Sequence, residues 1–533
     1  MKKTMHFLLV AVALVFGMTS CDEFKSTMDN PVSSYLELKT ASVSIVPGGT
    51  YQIEASSIST AKITYESSNP DVAIVDPSGK VTALEDGEAT ITVRVEANDN
   101  YQAGATQFQV KVQSPLTLEA KADGVINVNY NNGITLDEPI VCTVFTSEGL
   151  KKTVSITETT PIEVKKGDKV QFMSKNDRLA KGGWPGDPHV QINPTVECAV
   201  YGNVMSMITP EGDFNTNKTI KKEYALSGLF CDNCLSSDWD EEAQKTIYKY
   251  AIVNHDKYKQ VLPATTLRDN CYSYMFNSSG LTEAPELPAT TLANGCYTSM
   301  FNNCKNLTVA PKLPATNLAS GCYQSMFANS GITEAPELKV EDLSNSSGCY
   351  YSMFAGCTEL TKAPELPATK LAPWCYESMF AYSGITEAPE LKAKDLSNSY
   401  GCYYSMFDGC TKLTKAPELP ATKLEQWCYA YMFQGCTKLE VAPVLKAAEL
   451  VSQCYSNMFT SCSKLKSLTC LATSMTDNSA TQNWLFGAGA DVEGECTFTK
   501  AASPAWNNTT DMWIWDGTNG WNVTNRWTIK DAE

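Results

Sequence analysis

One phrase, Cys-Tyr-x-x-Met-Phe, occurs eight times in this chain of 533 residues. The copies follow one another every 25 to 27 residues and begin at Cys271, Cys296, Cys322, Cys349, Cys375, Cys402, Cys428 and Cys454. A fixed period in this range predicts a solenoid, in which each coil buries its apolar face only by stacking on its neighbours. Because solenoids present long surfaces, binding is the first functional hypothesis.

A second phrase separates the copies, and it is clearest at residues 416–424, Ala-Pro-Glu-Leu-Pro-Ala-Thr-Lys-Leu. We predict a short, irregular strand at Leu-Thr-x-Ala-Pro-x-Leu, which is residues 413–419 in this coil, because proline limits strand pairing. The Tyr and Phe of Cys-Tyr-x-x-Met-Phe are four residues apart, which favours a short helical turn with both rings in the core. Residues 331–382 and 384–435 are near copies of each other, which indicates duplication of a two-coil block. The predicted solenoid spans residues 222–486.

Residues 1–21 are predicted to be a targeting segment. Lys2 and Lys3 precede an apolar stretch that is too short to span a bilayer. Met18-Thr19-Ser20-Cys21 resembles the lipobox of bacterial lipoproteins, which implies lipid attachment at Cys21 and contact with the membrane through that anchor only. Asp22-Glu23 resembles the export tag of surface lipoproteins, which implies an outer-membrane location facing the cell exterior, with a periplasm-facing location as the alternative. Residues 22–37 form a polar tether.

Residues 38–113 alternate apolar and polar side chains in short runs, which is typical of an antiparallel β-sandwich. The phrase at 65–76, followed by Gly79-Lys80-Val81-Thr82-Ala83 and Gly87-Glu88-Ala89-Thr90-Ile91, resembles the group 2 bacterial immunoglobulin-like (Ig-like) domain. Residues 114–221 are again β-like and are predicted to cap the first coil. Residues 487–533 are predicted to cap the far end and are rich in tryptophan, at positions Trp506, Trp513, Trp515, Trp521 and Trp527.

The order Met-Phe-x-Gly-Cys-x-x-Leu-Thr resembles the leucine-rich repeats of BspA-like bacterial surface proteins, and the coil length resembles the 26-residue repeats of surface lipoproteins. The resemblance implies a cell-surface protein of the adhesion or ligand-binding kind. The predicted fold class is mainly β with short helical turns: an Ig-like β-sandwich, then a β cap domain, then a leucine-rich-repeat-like solenoid.

Charge and histidine content exclude other classes of protein. The net charge is −17, and it becomes −19 once a cleaved leader has removed Lys2 and Lys3. An acidic chain of this kind is poorly suited to nucleic acid. Beyond the leader the only histidines are His189 and His255, so few histidine-based catalytic or metal sites are possible. We therefore predict that the protein is not an enzyme and needs no cofactor or metal.

Two sets of residues are candidates for ligand binding. Trp374 and Trp427 precede the Cys in corresponding coils, and exposed tryptophan is suited to stacking on sugar rings, although tryptophan also serves in packing. Four carboxylates occupy one place in successive coils and form either a solvated acidic ladder or a cation or ligand site. These carboxylates are Glu337, Glu365, Glu390 and Glu418.

The chain has 20 cysteines, and an odd number, 19, remains without Cys21. Three coils have Ser279, Ser330 or Ser383 where the others have a second cysteine, which favours buried free thiols over one disulfide per coil. Cys231 and Cys234 have the spacing of redox and zinc sites, but no second CxxC and no nearby His completes a zinc set. A degenerate corner of the first coil explains Cys234 without chemistry.

The sequence therefore predicts a surface-anchored lipoprotein whose solenoid binds a macromolecular ligand, either a host protein or a glycan, without catalysis. The alternative is a structural spacer or a scaffold subunit of a surface assembly.

Overall fold

The computed structural model describes residues 33–183, 186–209, 213–476, 478–502 and 527–532. The chain forms two compact units, one ending at Gln113 and the other beginning at Ser114. Within the described residues the structure is almost entirely strands and turns. The only helices there are two short 3-10 helices, at Val204–Met207 and Asn478–Thr481.

The first unit is the β-sandwich that the alternating pattern predicts. Its nine strands are Leu36–Leu38 (β1), Ser42–Ile45 (β2), Thr50–Gln52 (β3), Ala55–Ser57 (β4), Ile63–Ser67 (β5), Ala73–Val75 (β6), Lys80–Ala83 (β7), Gly87–Val95 (β8) and Gly104–Val112 (β9). They form sheets in the orders β2-β9-β8-β5 and β3-β7-β6, with β1 paired to β4. Every pairing is antiparallel except that of β2 with β9.

Burial in the first unit follows the strand period, because alternate side chains point to opposite faces of a sheet. In β8 and β9 the buried positions include Ile91, Val93, Phe108 and Val110, which form one core. Tyr65 packs against this core from β5, and its ring lies so close to Gly79 that a β-carbon there would be 2.7 Å from the ring. Gly79 also has a φ of 83°, so both the backbone conformation and the nearby Tyr65 ring require glycine at this turn.

The second unit begins with residues 114–221, which form a β-rich cap. Its strands are Leu116–Ala120 (β10), Gly124–Asn131 (β11), Ile140–Phe145 (β12), Lys151–Ile156 (β13), Thr160–Val164 (β14), Lys169–Ser174 (β15), His189–Pro194 (β16) and Cys198–Asn203 (β17). One sheet has the order β13-β12-β15-β10-β17, and a smaller one has the order β14-β11-β16.

Residues 234–261 leave the first coil and return to the cap. Cys234–Asp240 (β18) and Lys245–Tyr250 (β19) form a hairpin. Ile252–Asn254 (β20) and Gln260–Val261 (β21) then pair in parallel with β17 of the cap sheet. Cap and coils therefore share strands, and their buried side chains form one continuous core from Leu116 to Trp527.

The coils stack in sequence order through their backbones. In the first regular coil the amides of Tyr272, Tyr274 and Phe276 donate to carbonyls of the next coil, at 2.9–3.0 Å. The amides between them, those of Ser273 and Met275, instead close turns within their own coil at 3.2 Å. The same alternation recurs in the following coils.

The predicted helical turn at Cys-Tyr-x-x-Met-Phe is therefore wrong. Every second amide bonds to the neighbouring coil, so the i to i−4 bonds of an α-helix cannot form. The segment is a series of overlapping turns in which every fourth residue has a positive φ, as at Asn270, Tyr274 and Ser278. The predicted burial of the aromatic side chains is nevertheless observed: Tyr272 and Phe276 are 1% and 0% exposed.

Aromatic side chains stack along the coils in two columns. The tyrosines that follow the repeated Cys lie with ring centroids 5.4–6.0 Å apart from Tyr272 to Tyr455. The phenylalanines of Met-Phe stack in the same way from Phe276 to Phe459. A degenerate first coil precedes residues 234–261 and has Leu229-Phe230 in place of Met-Phe. Phe230 extends the second column into this coil, with its ring centroid 5.5 Å from that of Phe276.

Regular strands appear only towards the far end of the described coils. They are Val441–Leu445 (β22), Glu449–Leu450 (β23), Ser467–Cys470 (β24), Ser474–Met475 (β25), Cys496–Lys500 (β26) and Trp527–Asp531 (β27). A parallel sheet has the order β22-β24-β26-β27, and β23 pairs with β25. Trp527 is buried in it. The predicted tail residues Trp506, Trp513, Trp515 and Trp521 lie outside the described residues.

Candidate binding groove on the repeat region

The residue just before each repeated Cys, here called the leading residue, has a φ between 54° and 60° in all eight coils. This left-handed conformation favours glycine, because a β-carbon is crowded there. Four coils have glycine, at Gly295, Gly321, Gly348 and Gly401, and two have tryptophan. The other two leading residues are Asn270 and Gln453.

An open groove of about 710 Å³ runs along this row of leading residues, from Tyr224 in the degenerate coil to Trp374. We call it the binding groove. The floor of the groove includes Gly295, Gly321 and Gly348, which have no side chains to fill it. A β-carbon at Gly348 would meet only Tyr351, at 3.9 Å. The side chains beside the glycines are mainly neutral and polar: Asn294, Thr298, Ser320, Gln324 and Ser347.

Hydrogen bonds hold these polar side chains in place. The Thr298 hydroxyl donates to the carbonyl of Gly321 at 3.0 Å, and the Ser347 hydroxyl donates to the carbonyl of Pro373 at 3.0 Å. The Asn294 amide donates to Asp269 at 3.1 Å. Each bond links neighbouring coils, so the stacking of the coils also positions the groove wall.

Five aromatic side chains lie together where the groove ends. We call this set the aromatic platform; its members are Trp374, Tyr400, Tyr404, Trp427 and Tyr431. The ring centroids of Trp374 and Tyr400 are 4.5 Å apart, and those of the two tryptophans are 6.0 Å apart. Every member is partly exposed. A second hollow of about 200 Å³ begins beyond the platform, lined by Trp427, Tyr431 and polar residues including Gln453.

The tryptophans are fixed by the next coil along. The Trp374 ring packs so closely on Gly401 that a β-carbon there would overlap it. The Trp427 indole NH donates to the Gln453 side chain. Trp374 therefore depends on a glycine one coil away, and that pairing is visible only in three dimensions.

The charges at the groove are few and negative. Among the described residues that line it, Asp187 and Glu377 are the only ones with a carboxyl group, and none is a lysine or an arginine. Glu377 is partly buried, and this burial raises the pKa of its carboxyl to about 7. The groove therefore presents hydroxyls, amides and aromatic rings rather than a charged surface.

The structure brings together Trp374 and Trp427 but not the four predicted carboxylates. Glu337 lines a separate hollow of about 610 Å³. Glu365, Glu390 and Glu418 are exposed at the corresponding places of later coils, outside that hollow. Glu337 contacts Lys339 at 3.1 Å, and Glu418 contacts Lys446 of the next coil at 2.9 Å. Among the described residues no group of three or more His, Cys, Asp and Glu is placed to hold a metal ion.

Tyr351, Glu377, Tyr400, Tyr404 and Tyr431 were missed by the sequence analysis. All of them lie within the repeated Cys-Tyr-x-x-Met-Phe phrase or at most two residues before it. Their side chains differ from coil to coil while the phrase stays constant, and this variation could have marked them as surface positions. The leading position was a second signal, because it is glycine in some coils and tryptophan in others. A position that accepts both residues has open space that a large side chain can fill.

The cysteines of the described chain are all free thiols, and all but Cys234 are buried. In the five coils that have a second cysteine, its thiol donates to the carbonyl of the Phe in the coil before, as Cys357 does to Phe327 at 3.0 Å. Where serine replaces cysteine, its hydroxyl lies beside the next thiol: Ser330 is 3.6 Å from Cys357. These contacts explain the cysteines by packing and hydrogen bonding.

His189 and His255 lie in or beside the cap and have structural partners. His189 is 6% exposed, and its Nδ1 lies 2.7 Å from the carbonyl of Asp187. His255 lies 3.3 Å from the Glu119 carboxylate and packs against the rings of Tyr201 and Tyr258. Within the described ranges no helix combines the length and apolar character that crossing a bilayer requires.

Comparison with known protein families concerns the N-terminal unit of the described chain. Residues 35–105 match the family model of the bacterial Ig-like domain (group 2). No curated protein matches the chain. The match confirms the predicted group 2 bacterial Ig-like domain at the N-terminal end of the described residues.

Proposed function

We propose that this protein is a lipid-anchored protein of the outer membrane, facing the cell exterior, whose repeat region binds a macromolecular ligand without catalysing a reaction. In this proposal Cys21 carries the lipid, and the stacked coils are a leucine-rich-repeat-like solenoid of the BspA-like kind. Cys21 itself lies outside the described residues.

The observation that carries the proposal is the binding groove. It crosses successive coils from Tyr224 to Trp374 and continues past the aromatic platform into a second hollow. A coil spacing of about 4.8 Å, the usual separation of hydrogen-bonded strands, gives the first part of this path a length of about 24 Å. A surface of that length, with partly exposed aromatic rings at one end, suits an extended ligand.

The test is a binding array with the soluble chain that begins at residue 22, probed against mucins, polysaccharides and matrix proteins. The informative variant is Trp374→Gly combined with Trp427→Gly. Glycine is the leading residue in four other coils and has no β-carbon at this positive φ, so the variant should fold. We expect saturable binding by the wild type and loss of binding by the variant.

The matched control is Tyr382→Gly. Tyr382 also has a positive φ, at 57°, is 61% exposed, and has glycine as its counterpart at Gly356, Gly409 and Gly435, but it lies outside the groove. Binding should survive this change. Absence of binding across the whole array would instead favour a structural spacer or a scaffold subunit.

A further inference from the structure

We infer that the ligand of the binding groove is an uncharged polysaccharide, which lies across the coils and stacks its sugar rings on the aromatic platform. This inference rests on the proposed function, because it names the class of macromolecule that the groove binds. It follows from the charge, the hydrogen-bonding groups and the length of the groove.

Charge argues against anionic ligands. Asp187 and Glu377 line the groove, and no cation among the described lining residues could pair with a sulfate, phosphate or uronic acid. The carboxylate of Asp187 and the ionised form of Glu377 would repel an anionic ligand, and the net charge of −17 adds to that repulsion. Uncharged chains avoid this cost.

The polar side chains suit a ligand rich in hydroxyl groups. Asn294, Ser320 and Gln324 carry both donor and acceptor groups. The hydroxyls of Thr298 and Ser347 already donate their protons to backbone carbonyls, and their oxygens can accept hydrogen bonds from a ligand. Because inter-coil bonds already orient Thr298 and Ser347, little conformational entropy would be lost when a ligand binds.

The backbone of the groove argues against a peptide bound as an added strand. Such a peptide needs unpaired amides and carbonyls at a sheet edge. Here alternate amides of each coil bond to the next coil or close turns, as the amides of Tyr297 and Met300 do. The groove floor therefore offers side chains and glycines rather than an open edge.

The aromatic platform supplies the apolar contact. Its rings present partly exposed faces at several angles, from the nearly perpendicular pair of Trp374 and Tyr400 to the pair of tryptophans inclined at 47°. The C–H faces of pyranose rings pack on such surfaces. A ligand that contacts the platform and fills the whole polar groove must span on the order of 24 Å, which requires a polymer or a long oligosaccharide.

The experiment is a titration of the soluble chain with uncharged polysaccharides (mannan, laminarin, dextran and xyloglucan), with heparin and polygalacturonate, and with matrix proteins. We expect binding to at least one uncharged polysaccharide that changes less than twofold between about 0.05 and 0.5 M salt, because no ion pair is formed. Trp374→Gly with Trp427→Gly should weaken binding about tenfold or more, and Tyr382→Gly should leave it unchanged.

A second variant tests whether the chain lies along the groove. In Gly321→Trp, the new ring would lie over Gly348 as Trp374 lies over Gly401, and the only close neighbour of its β-carbon is the flexible end of Gln324, at 3.3 Å. We expect this variant to melt cooperatively like the wild type, to lose affinity for long chains, and to retain the affinity of short oligosaccharides for the platform.

The outcomes separate the two proposals. Groove-dependent binding of a matrix protein alone, or of anionic polysaccharides alone, would overturn the polysaccharide inference and leave the proposed binding function standing. No binding of any class would overturn both. Polysaccharide binding that is undiminished in the double glycine variant and in Gly321→Trp would show that the groove is not the site.

Discussion

At the scale of single residues, the left-handed leading position decides how the groove is shaped. Glycine there leaves the floor open, and tryptophan fills the space above the next coil. Trp374 can do this only because its neighbour one coil away is Gly401. A pair of residues 27 positions apart in sequence therefore acts as one packing unit.

We predict that Gly401→Ala is more destabilising than Gly321→Ala. Both substitutions place a β-carbon at a positive φ, which costs about 1–2 kcal/mol. At Gly401 the β-carbon also overlaps the Trp374 ring, so overpacking should add a further cost of about 1–3 kcal/mol. Urea unfolding of the two variants measures the difference.

Trp374→Gly supplies the control for this prediction. In the double variant with Gly401→Ala, the additional cost should disappear, while the cost of the positive φ remains. Equal destabilisation by Gly401→Ala in the presence and absence of the Trp374 ring would contradict the proposed packing.

The buried thiols predict how stability depends on pH. Burial raises the pKa of Cys271 and Cys322 to about 12, from an ordinary value of 9.0. The unfolded chain therefore loses these protons near pH 9 while the folded chain keeps them. The stability that this contributes is fully present below pH 9 and is lost as pH rises from there towards 12.

We expect thermal unfolding temperatures to fall steadily above about pH 9.

The exposure of the thiols predicts a second result. Iodoacetamide should modify only Cys234 in the native chain that begins at residue 22, because the other thiols are buried. The denatured chain should be modified at all 19 of its cysteines. Rapid native labelling of a repeat cysteine such as Cys357 would show that the coils open more readily than their packing implies.

At the scale of elements, the coil is a unit that bonds to its neighbours in a fixed register. The repeat correctly predicted that its Tyr and Phe side chains are buried, because repeated apolar positions must face the same core. The helical turn was predicted wrongly, because the spacing of Tyr and Phe fits a helix as well as a series of turns. Only the bonds to neighbouring coils distinguish the two.

We predict that deletion of residues 331–383 leaves a folded protein. The deletion joins Ser330 to Gly384, whose sequence context matches that of Gly331, and removes one two-coil block. In a stack of coils each unit contacts only its neighbours, so the register on both sides is restored. Circular dichroism and cooperative thermal unfolding should resemble those of the wild type.

Deletion of residues 331–343 is the control, because it removes only half of a coil and leaves Cys322 and Cys349 just 14 residues apart, which is out of register with the other coils. This shorter deletion should abolish cooperative unfolding. A similar loss in the 331–383 deletion would contradict the picture of interchangeable two-coil blocks.

At the scale of the whole molecule, the Ig-like unit and the repeat unit have separate cores, whereas the cap and the coils share one. The shared core arises because β20 and β21, which follow the first coil in sequence, pair with β17 of the cap. The cap is therefore the first layer of the stack rather than an independent lid.

We predict that Cys21→Ser releases the protein from the membrane fraction. The proposed lipid on Cys21 would be the only anchor, and a thiol is required for its attachment. Metabolic labelling with a palmitate analogue should mark the wild type and not the variant, and protease added to intact cells should digest the wild type if it faces outward. Membrane retention of the unlabelled variant would contradict this anchor.

The sequence by itself determined the repeat, its period, the residues that fill its core and the Ig-like domain, because each of these depends on local patterns repeated along the chain. It also singled out Trp374 and Trp427. Tertiary structure decided that these two tryptophans meet three tyrosines at the end of one groove, and that the predicted glutamates lie elsewhere. The physical reason is that a groove wall is built from one position of every coil, so its chemistry exists only after the coils have stacked.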